Sequence, residues 1–267
     1  MNKALRNTAK QTRRRVLHAG IALCGIAAGL LAFAPASWLA GALERQSQGR
    51  FTLAATEGRV WRGSAILAAR QPGSDAATPL LPGRFEWQLS PLLLIGRLDL
   101  HVRHADALPK PLHLHGSWLQ ATLEPSALRL PADGLAALGA PFNTLAPNGR
   151  LQLQWTPLQL RTAPPGMSGN ATLELDDMRS RLSPVAPLGS YRLGMVWHER
   201  SAELTLSTLR GPLLLDGKGN LQDGRLQFAG HADAEDVQKQ ALANLLNLLG
   251  QPRQLNGRNL IAFEFKS

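Results

Sequence analysis

The stretch RLQLQWTPLQL, residues 150–160, alternates polar and apolar side chains over its first six positions. Successive side chains of a β-strand point to opposite faces, so Leu151, Leu153 and Trp155 share one face and the two intervening glutamines share the other. A strand of this kind packs one face against a core and leaves the other in water. The stretch therefore predicts a half-buried strand of an antiparallel sheet.

Short runs of the same kind, bounded by Gly, Pro, Asn or Asp, continue along the rest of the chain. They predict strands at 83–89, 96–102, 112–123, 171–175, 190–196, 201–209, 212–216, 224–230 and 260–265. The Asp-Gly pairs at 216–217 and 223–224 are typical of hairpin turns. We therefore expect a mainly β fold, an antiparallel meander that either closes as a sandwich or remains an open groove.

One amphipathic helix is predicted near the C-terminus, over residues 234–249. Asp233 precedes it as a candidate N-cap, and Gly250 follows its last apolar residue. The residues expected on its apolar face are Val237, Ala241, Leu242, Leu245, Leu248 and Leu249. Because this spacing places them along one stripe, we expect the helix to pack on the sheet.

An apolar segment without formal charge, residues 16–43, precedes the predicted strands. About 20 apolar residues are enough for a helix to cross a bilayer, and Trp38 lies where an interfacial aromatic residue is expected. The single cysteine, Cys24, lies inside the segment, so one chain can form no disulfide. The sequence predicts a cytoplasmic tail at 1–15, a transmembrane anchor at 16–43 and a periplasmic β-rich domain at 44–267.

The formal net charge of +10 is concentrated at the N-terminus. Six basic residues precede the first acidic residue, namely Lys3, Lys10, Arg6, Arg13, Arg14 and Arg15. The other 23 Lys and Arg residues are nearly balanced by 19 Asp and Glu residues, so a nucleic-acid partner is not expected. By the positive-inside rule, Arg13, Arg14 and Arg15 are topology determinants that keep the N-terminus in the cytoplasm.

Removal of the apolar segment is the alternative to a permanent anchor. The triplets at 32–34 and 34–36 are small-residue sites of the kind that signal peptidases cleave, and residues 12–17 loosely resemble a twin-arginine signal. Pro35 directly after the first site and the length of the apolar run favour the anchor. In either case the bulk of the chain is exported.

No catalytic motif is found in the sequence. It contains neither the Gly-x-Ser-x-Gly elbow of serine hydrolases nor a glycine loop with phosphate-binding spacing, so we expect no enzyme activity, catalytic residue or cofactor. His101, His113 and His115, with His104 nearby, have the residue type of a metal site. Polar residues alternate around them as on an ordinary wet face, and no metal site is expected.

Several short motifs in order along the chain resemble one protein family. They are GRVWRGSA at 58–65, WQLSP at 87–91, RLS at 181–183, PLGSY at 187–191, LRGPL at 209–213 and the terminal apolar helix. The chain resembles general secretion pathway protein N of type II secretion systems. The candidate partner-binding or family-motif residues are Gly58, Trp61, Gly63, Trp87, Leu188, Gly189 and Tyr191.

The resemblance implies a single-pass protein of the inner membrane of a Gram-negative cell. Such a protein is a structural component of the apparatus that exports folded periplasmic proteins across the outer membrane. Its implied partners are other secretion subunits of the inner-membrane platform, the outer-membrane channel and inner-membrane lipid. The resemblance brings no catalytic residue with it. We expect Trp61 and Tyr191 to lie on one face, and in vivo crosslinking from that face would identify the attached protein or lipid.

A second resemblance remains open. Strands with one apolar face, curled into a groove, are also similar to AsmA-like proteins that handle lipids in the periplasm. Co-purified phospholipid would favour that alternative, whereas a filled core would favour the secretion component.

Overall fold

A computed structural model describes residues 29–70, 77–138, 146–255 and 258–266, and within them the chain is mainly antiparallel β-sheet. The strands are β1 (Phe51–Arg59), β2 (Arg62–Arg70), β3 (Ala77–Pro79), β4 (Phe85–Leu89), β5 (Arg97–Arg103), β6 (Leu112–Ser117), β7 (Gln120–Leu123), β8 (Ser126–Pro131), β9 (Asn148–Trp155), β10 (Leu158–Thr162), β11 (Pro165–Arg179), β12 (Gly189–Glu199), β13 (Ser201–Arg210), β14 (Leu213–Gln222), β15 (Arg225–Ala234), β16 (Gln251–Leu255) and β17 (Arg258–Lys266). The α-helices are α1 (Ser37–Gln46) and α2 (Lys239–Leu249), and the 3-10 helices are Pro91–Ile95, Ala132–Leu138 and Asp236–Gln238.

The strands of the described residues form one continuous sheet. The hydrogen-bonded order is β1, β2, β4, β5, β6, β7, β10, β11, β12, β13, β14, β15, β17 and β16. The short β3 pairs with the end of β2, and β8 and β9 lie alongside the second half of β11. The prediction of a mainly β antiparallel fold with one C-terminal helix is confirmed.

The alternating stretch at 150–160 forms two collinear strands, β9 and β10, which both pair with β11. Pro157 separates them and has no backbone N–H to give to the ladder. At this break the chain changes its second neighbour from β8 to β7. Leu151 and Trp155 are buried while Gln154 is exposed, as the alternation predicts.

One face of the sheet carries three apolar clusters. The largest combines buried residues of six strands with α2, which lies over β15 and β17. Its members are Ala132, Leu151, Met178, Leu188, Tyr191, Leu213, Ala232, Ala234, Leu242, Leu245, Leu246 and Phe263. The second cluster surrounds Trp87, and the third surrounds Trp155. The opposite face is polar and faces water, so the sheet positions its functional side chains on two chemically different surfaces.

The predicted helix starts later than expected, and of its predicted apolar face only Leu242 and Leu245 are buried. β15 runs to Ala234 and a 3-10 turn follows, so Asp233 belongs to a strand and is not a helix cap. The buried side chains of α2 are Leu242, Leu245 and Leu246. Val237, Ala241 and Leu248, predicted on the apolar face, are exposed. Val237 precedes α2, and the other two lie on the side of α2 that faces away from the sheet.

The hairpin turn predicted at 216–217 is wrong. β14 continues through both residues, and Gly217 and Gly219 lie opposite β15. A Cβ added to Gly217 would lie 2.7 Å from the Phe228 ring, and one on Gly219 would lie 2.5 Å from it. These glycines therefore make room for an aromatic side chain across the ladder, whereas the second Asp-Gly pair forms the expected turn.

One end of the sheet gathers the turns between successive strands. The ladders end there at the pairs Arg59 with Arg62, Arg97 with Ser117, Arg161 with Gln120, Thr162 with Pro165, His198 with Ser201 and Gln222 with Arg225. Neighbouring antiparallel strands place these turns side by side in space although they are far apart in sequence. We call this end of the sheet the rim.

Candidate interaction site

The seven motif residues lie in two separate places. Gly58, Trp61 and Gly63 belong to the β1–β2 hairpin at the rim, and Trp87 packs beside it from β4. The other three, at 188–191, lie in the largest apolar cluster. The seven residues therefore do not form one binding site.

The two hairpin glycines allow close contact with a tryptophan. Gly58 and Gly63 are cross-strand partners, and Gly63 is also paired with Trp87. A Cβ on Gly63 would lie 2.5 Å from the Glu57 carbonyl oxygen and 2.6 Å from Cζ2 of the Trp87 ring. Gly58 has φ +85°, a conformation that side chains other than glycine rarely adopt. Gly63 therefore makes room for the Trp87 ring, whereas Gly58 is required by the backbone conformation of the hairpin and by its close contact with Arg62 and Gly63.

The hairpin also binds the segment that leads into the domain from the N-terminus. The Ala36 N–H donates to the Gly58 carbonyl at 3.2 Å, and the Val60 N–H donates to the Ala34 carbonyl at 2.9 Å. The indole of Trp61 donates to the Leu31 carbonyl at 2.8 Å. We call residues 31–36 together with hairpin residues 58–63 the clasp, because the two segments are joined by backbone and side-chain hydrogen bonds.

Two further contacts hold the clasp. Trp87 donates from its indole nitrogen to the Val60 carbonyl at 2.9 Å, which ties the hairpin tip to the buried ring. The Arg59 guanidinium lies 4.4 Å from the centre of the Phe33 ring, a cation–π geometry. Trp87 thus connects the hairpin to the core, and Trp61 connects the hairpin to the N-terminal segment.

The described part of the predicted anchor is not one continuous helix. Residues 29–32 are helical, residues 33–36 are not, and α1 begins at Ser37 and packs along β1. Pro35 explains the break, because it disfavours helical backbone at the residue before it. Trp38 is exposed in the first turn of α1. Residues 16–28 of the predicted anchor, and with them Arg13, Arg14 and Arg15 of the tail, lie outside the described residues.

Within residues 29–70, 77–138, 146–255 and 258–266, no helix combines the length and the apolar character needed to cross a membrane.

Exposed apolar side chains are concentrated on the rim beside the clasp. We define the apolar rim as Leu92, Leu94, Ile95, Trp118 and Leu119, which are between 46% and 72% exposed. They lie in two neighbouring turns that are tied together, because the Trp118 indole donates to the Leu93 carbonyl at 2.8 Å. Exposed apolar groups gathered in this way are typical of an interaction surface.

The apolar rim is continuous with the clasp. The Leu89 N–H donates to the Trp61 carbonyl at 2.8 Å, so the strand that leads into residues 91–95 is bound to the hairpin tip. Leu30 and Phe33 in the N-terminal segment are also more than 60% exposed. The sequence showed these apolar residues, but it did not show that separate turns place them at one end of the sheet.

Tyr191 lies in the core and is not part of a surface shared with Trp61. Its hydroxyl donates to the Leu213 carbonyl at 3.0 Å, and Leu188 beside it is also buried. A Cβ on Gly189 would lie 2.8 Å from the Tyr191 hydroxyl. Burial raises the pKa of the Tyr191 phenol. The interpretation of Trp61 and Tyr191 as one accessible face is therefore wrong, because close packing of the second motif group leaves its tyrosine inaccessible.

We expect Tyr191→Phe to lower the free energy of unfolding by about 1–2 kcal/mol at neutral pH, because a buried carbonyl loses its donor.

The folded protein binds the phenol proton more tightly than the unfolded chain does. The contribution of Tyr191 to stability is therefore complete below a pH of about 10 and declines as the pH rises above it. Urea denaturation of wild type and variant at neutral and alkaline pH checks both effects. Tyr191 is the only tyrosine in the sequence, so phenolate absorbance follows this group alone, and titration in the folded protein at the ordinary pKa would contradict the prediction.

The structure brings two of the predicted histidines together on the wet face. His101 and His113 are cross-strand partners with stacked rings, and Asp99 lies between their nitrogens. His115 is close to Glu124, with 3.6 Å between Nδ1 and a carboxylate oxygen. His104 is buried elsewhere and accepts hydrogen bonds from two backbone N–H groups, so it is not part of this group.

A comparison with models of protein families matches residues 49–259 to the family described as type II secretion system (T2SS), protein N. The match covers most of the chain, including both groups of motif residues. No curated protein and no solved structure matches the chain significantly.

Proposed function

The chain belongs to the type II secretion system protein N family, and from this premise we propose that it is a single-pass subunit of the inner-membrane platform. In this proposal residues 16–43 hold the chain in the membrane, residues 1–15 are cytoplasmic, and the β domain is periplasmic. Its role is structural, in support of the export of folded periplasmic proteins across the outer membrane. Its partners are the other platform subunits and the outer-membrane channel.

The observation that carries the proposal is the clasp. An anchor whose exit from the membrane is held against the domain fixes the orientation of that domain relative to the bilayer. Backbone hydrogen bonds from Ala36 and to Ala34, with the Trp61 indole on Leu31, hold the chain at that exit. The motif at 58–65, the first of those on which the family resemblance rests, thus holds the N-terminal segment against the domain.

The apolar rim supports an orientation in which this end of the sheet faces the membrane. Leucine, isoleucine and tryptophan in exposed turns suit the boundary between headgroups and acyl chains. Arg59, Arg62 and Arg97 are exposed at the same end and can contact anionic headgroups. The clasp directs the N-terminal segment to this end, so anchor and rim would meet the bilayer together.

We expect a spin label at residue 95 to lie in the bilayer interface. The full chain would carry Cys24→Ser with either Ile95→Cys or, as a matched control, Leu182→Cys, reconstituted in liposomes. Leu182 is also an exposed leucine, but it lies in the connection at the opposite end of β11. The label at 95 should be more accessible to apolar oxygen than to a polar nickel reagent, and the label at 182 should show the reverse. Equal accessibility at the two positions would contradict the orientation.

The platform role is tested by secretion. In cells that lack this chain, we expect the exported substrates of the system to accumulate in the periplasm, and the full chain to restore their release. A matched variant, in which a cleavable signal peptide replaces residues 1–30, should be exported but should fail to restore release if anchoring is required. Normal release without the chain would argue against an essential role, and restoration by the released form would argue against the anchor.

A second function, lipid handling on the apolar face, is supported by one specific observation. Around buried Trp155 and Leu158, many neighbouring apolar side chains are only partly buried, so this part of the face is incompletely covered. Phospholipid that co-purifies with the chain and is lost when partly buried Leu123 is replaced by glutamate would support lipid handling. Lipid-free protein that restores secretion would support the structural role alone.

A further inference from the structure

We propose that Asp99, His101 and His113 form a binding site for a divalent transition-metal ion, with zinc as the expected ion. The three residues lie on the wet face of β5 and β6, on the side of the sheet opposite the apolar clusters. The site does not depend on the proposed function, because it is argued only from ligand chemistry and geometry.

The distances fit a tetrahedral ion. Asp99 Oδ1 lies 3.1 Å from His113 Nε2 and 3.4 Å from His101 Nδ1, and the three ligand atoms all lie within 4.8 Å of one another. Around a zinc ion with bonds of about 2.1 Å, neighbouring tetrahedral ligands are about 3.4 Å apart. Both distances from Asp99 therefore already match. The third separation, between His101 Nδ1 and His113 Nε2, is no more than 4.8 Å, and rotation of the imidazoles would shorten it.

The backbone holds the ligands in place. His101 and His113 are directly opposite each other on antiparallel strands, and Asp99 precedes His101 by two residues, so all three side chains point the same way. Leu100 and Val102, which alternate with them, pack against the Trp87 cluster on the other face. The ligands therefore lie on a sheet that is fixed from behind, and not on a loop.

The arrangement of the rings favours a shared partner. The His101 and His113 rings are stacked with centres 4.1 Å apart, and both direct a nitrogen toward the same carboxylate oxygen. A metal ion in this position would be bound by two neutral imidazoles and one carboxylate, a ligand set common for zinc. The fourth position opens to water, because the three ligands are partly exposed.

Residues around the site determine how tightly it is expected to bind zinc. The His115 ring lies 4.9 Å from that of His113, but its Nδ1 is 3.6 Å from the Glu124 carboxylate, so His115 is a neighbour of the site and not one of its ligands. Arg97 and Arg103 lie on the same face beyond the two ends of the group and oppose a cation. We therefore expect micromolar binding and not the much tighter binding of a closed structural site.

The test uses the full chain in detergent, purified without a polyhistidine tag and titrated with zinc by calorimetry. Wild type should bind one ion per chain. His101→Ala, His113→Ala and Asp99→Asn should each weaken binding by about tenfold or more. The matched control is His198→Ala, which removes an exposed strand histidine outside the group.

Thermal unfolding provides a second measurement, since a given zinc concentration should raise the unfolding temperature of the three site variants less than that of wild type and of the control. Circular dichroism verifies that each variant is folded. The absence of heat in wild type would overturn the proposal. So would zinc binding that His101→Ala and His113→Ala leave unchanged, because the ion would then be held by other residues.

Discussion

Replacing Trp87 with alanine is expected to lower the free energy of unfolding by about 3–5 kcal/mol, the range for a large aromatic residue removed from a core. Trp87 is 9% exposed and packs with Ala36 and Ala65 in the cluster beneath the clasp. The variant also leaves the Val60 carbonyl without its indole donor. The loss should be visible in urea denaturation of the full chain, and the amide protons of the clasp should exchange faster with deuterium.

Trp118→Ala is the matched control for this prediction. Trp118 is 58% exposed and has one indole hydrogen bond, so its removal should cost less than about 1 kcal/mol. The amide of Ala36 should keep its protection in this variant. Equal destabilisation by the two substitutions would contradict the assignment of Trp87 as the residue that binds the clasp to the core.

Leu242→Ala is expected to lower the free energy of unfolding by about 2–5 kcal/mol. Leu242 is fully buried between α2 and the sheet, where its removal leaves a cavity among leucines and Phe263. Loss of this contact should loosen α2 from β15 and β17, because Leu242 is the most deeply buried of the three leucines that pack this helix on the sheet. Equilibrium unfolding in urea measures the change.

Leu248→Ala separates this packing effect from helix propensity. The two leucines lie in the same helix and undergo the same substitution, but Leu248 is 59% exposed. Its replacement should change the free energy of unfolding by less than about 0.5 kcal/mol. A large effect at Leu248, or a small one at Leu242, would contradict the packing of α2 on the sheet through Leu242.

Most strands could be predicted because a half-buried strand leaves a direct pattern in the sequence. Leu151, Leu153 and Trp155 alternate with polar residues, and the structure places them on one face. The break at Pro157 is also a local property. The partners of each strand could not be predicted in the same way, and the change of neighbour from β8 to β7 at this proline became visible only in the hydrogen-bonded ladder.

Two errors have the same physical origin, which is that tertiary contacts override local preference. The pair at 216–217 has the composition of a turn, yet the Phe228 ring across the ladder requires glycine there. The C-terminal helix begins at Lys239 and not at residue 234 because β15 extends to Ala234, so Val237 lies outside the helix. Neither the facing ring nor the extended strand is visible in a local window of sequence.

The candidate sites differ in how far the sequence could locate them. The pair at 118–119 falls inside the strand predicted at 112–123, which the structure divides into β6 and β7, and the run PLLLI at 91–95 forms a 3-10 helix. Neither their exposure nor their proximity could be predicted, because both depend on the order of the strands. His113 and His115 are two apart in sequence, so a shared face could be predicted. His101 and His113 lie opposite each other only because of the register between β5 and β6, and the same register places Asp99 next to both.

Side-chain alternation and motif order are encoded locally, so the family, the antiparallel β class and the solvent-exposed and apolar faces of the strands could be predicted from the chain's sequence alone. The glycines and tryptophan of the hairpin at 58–63 are visible in the sequence, but what they contact is not. The hydrogen bonds from this hairpin to residues 31–36, the shared rim of the apolar turns, and the proximity of Asp99, His101 and His113 became visible only in the folded chain. These contacts depend on strand register and on the order of strands in the sheet, which are set by long-range hydrogen bonds and packing across the whole chain.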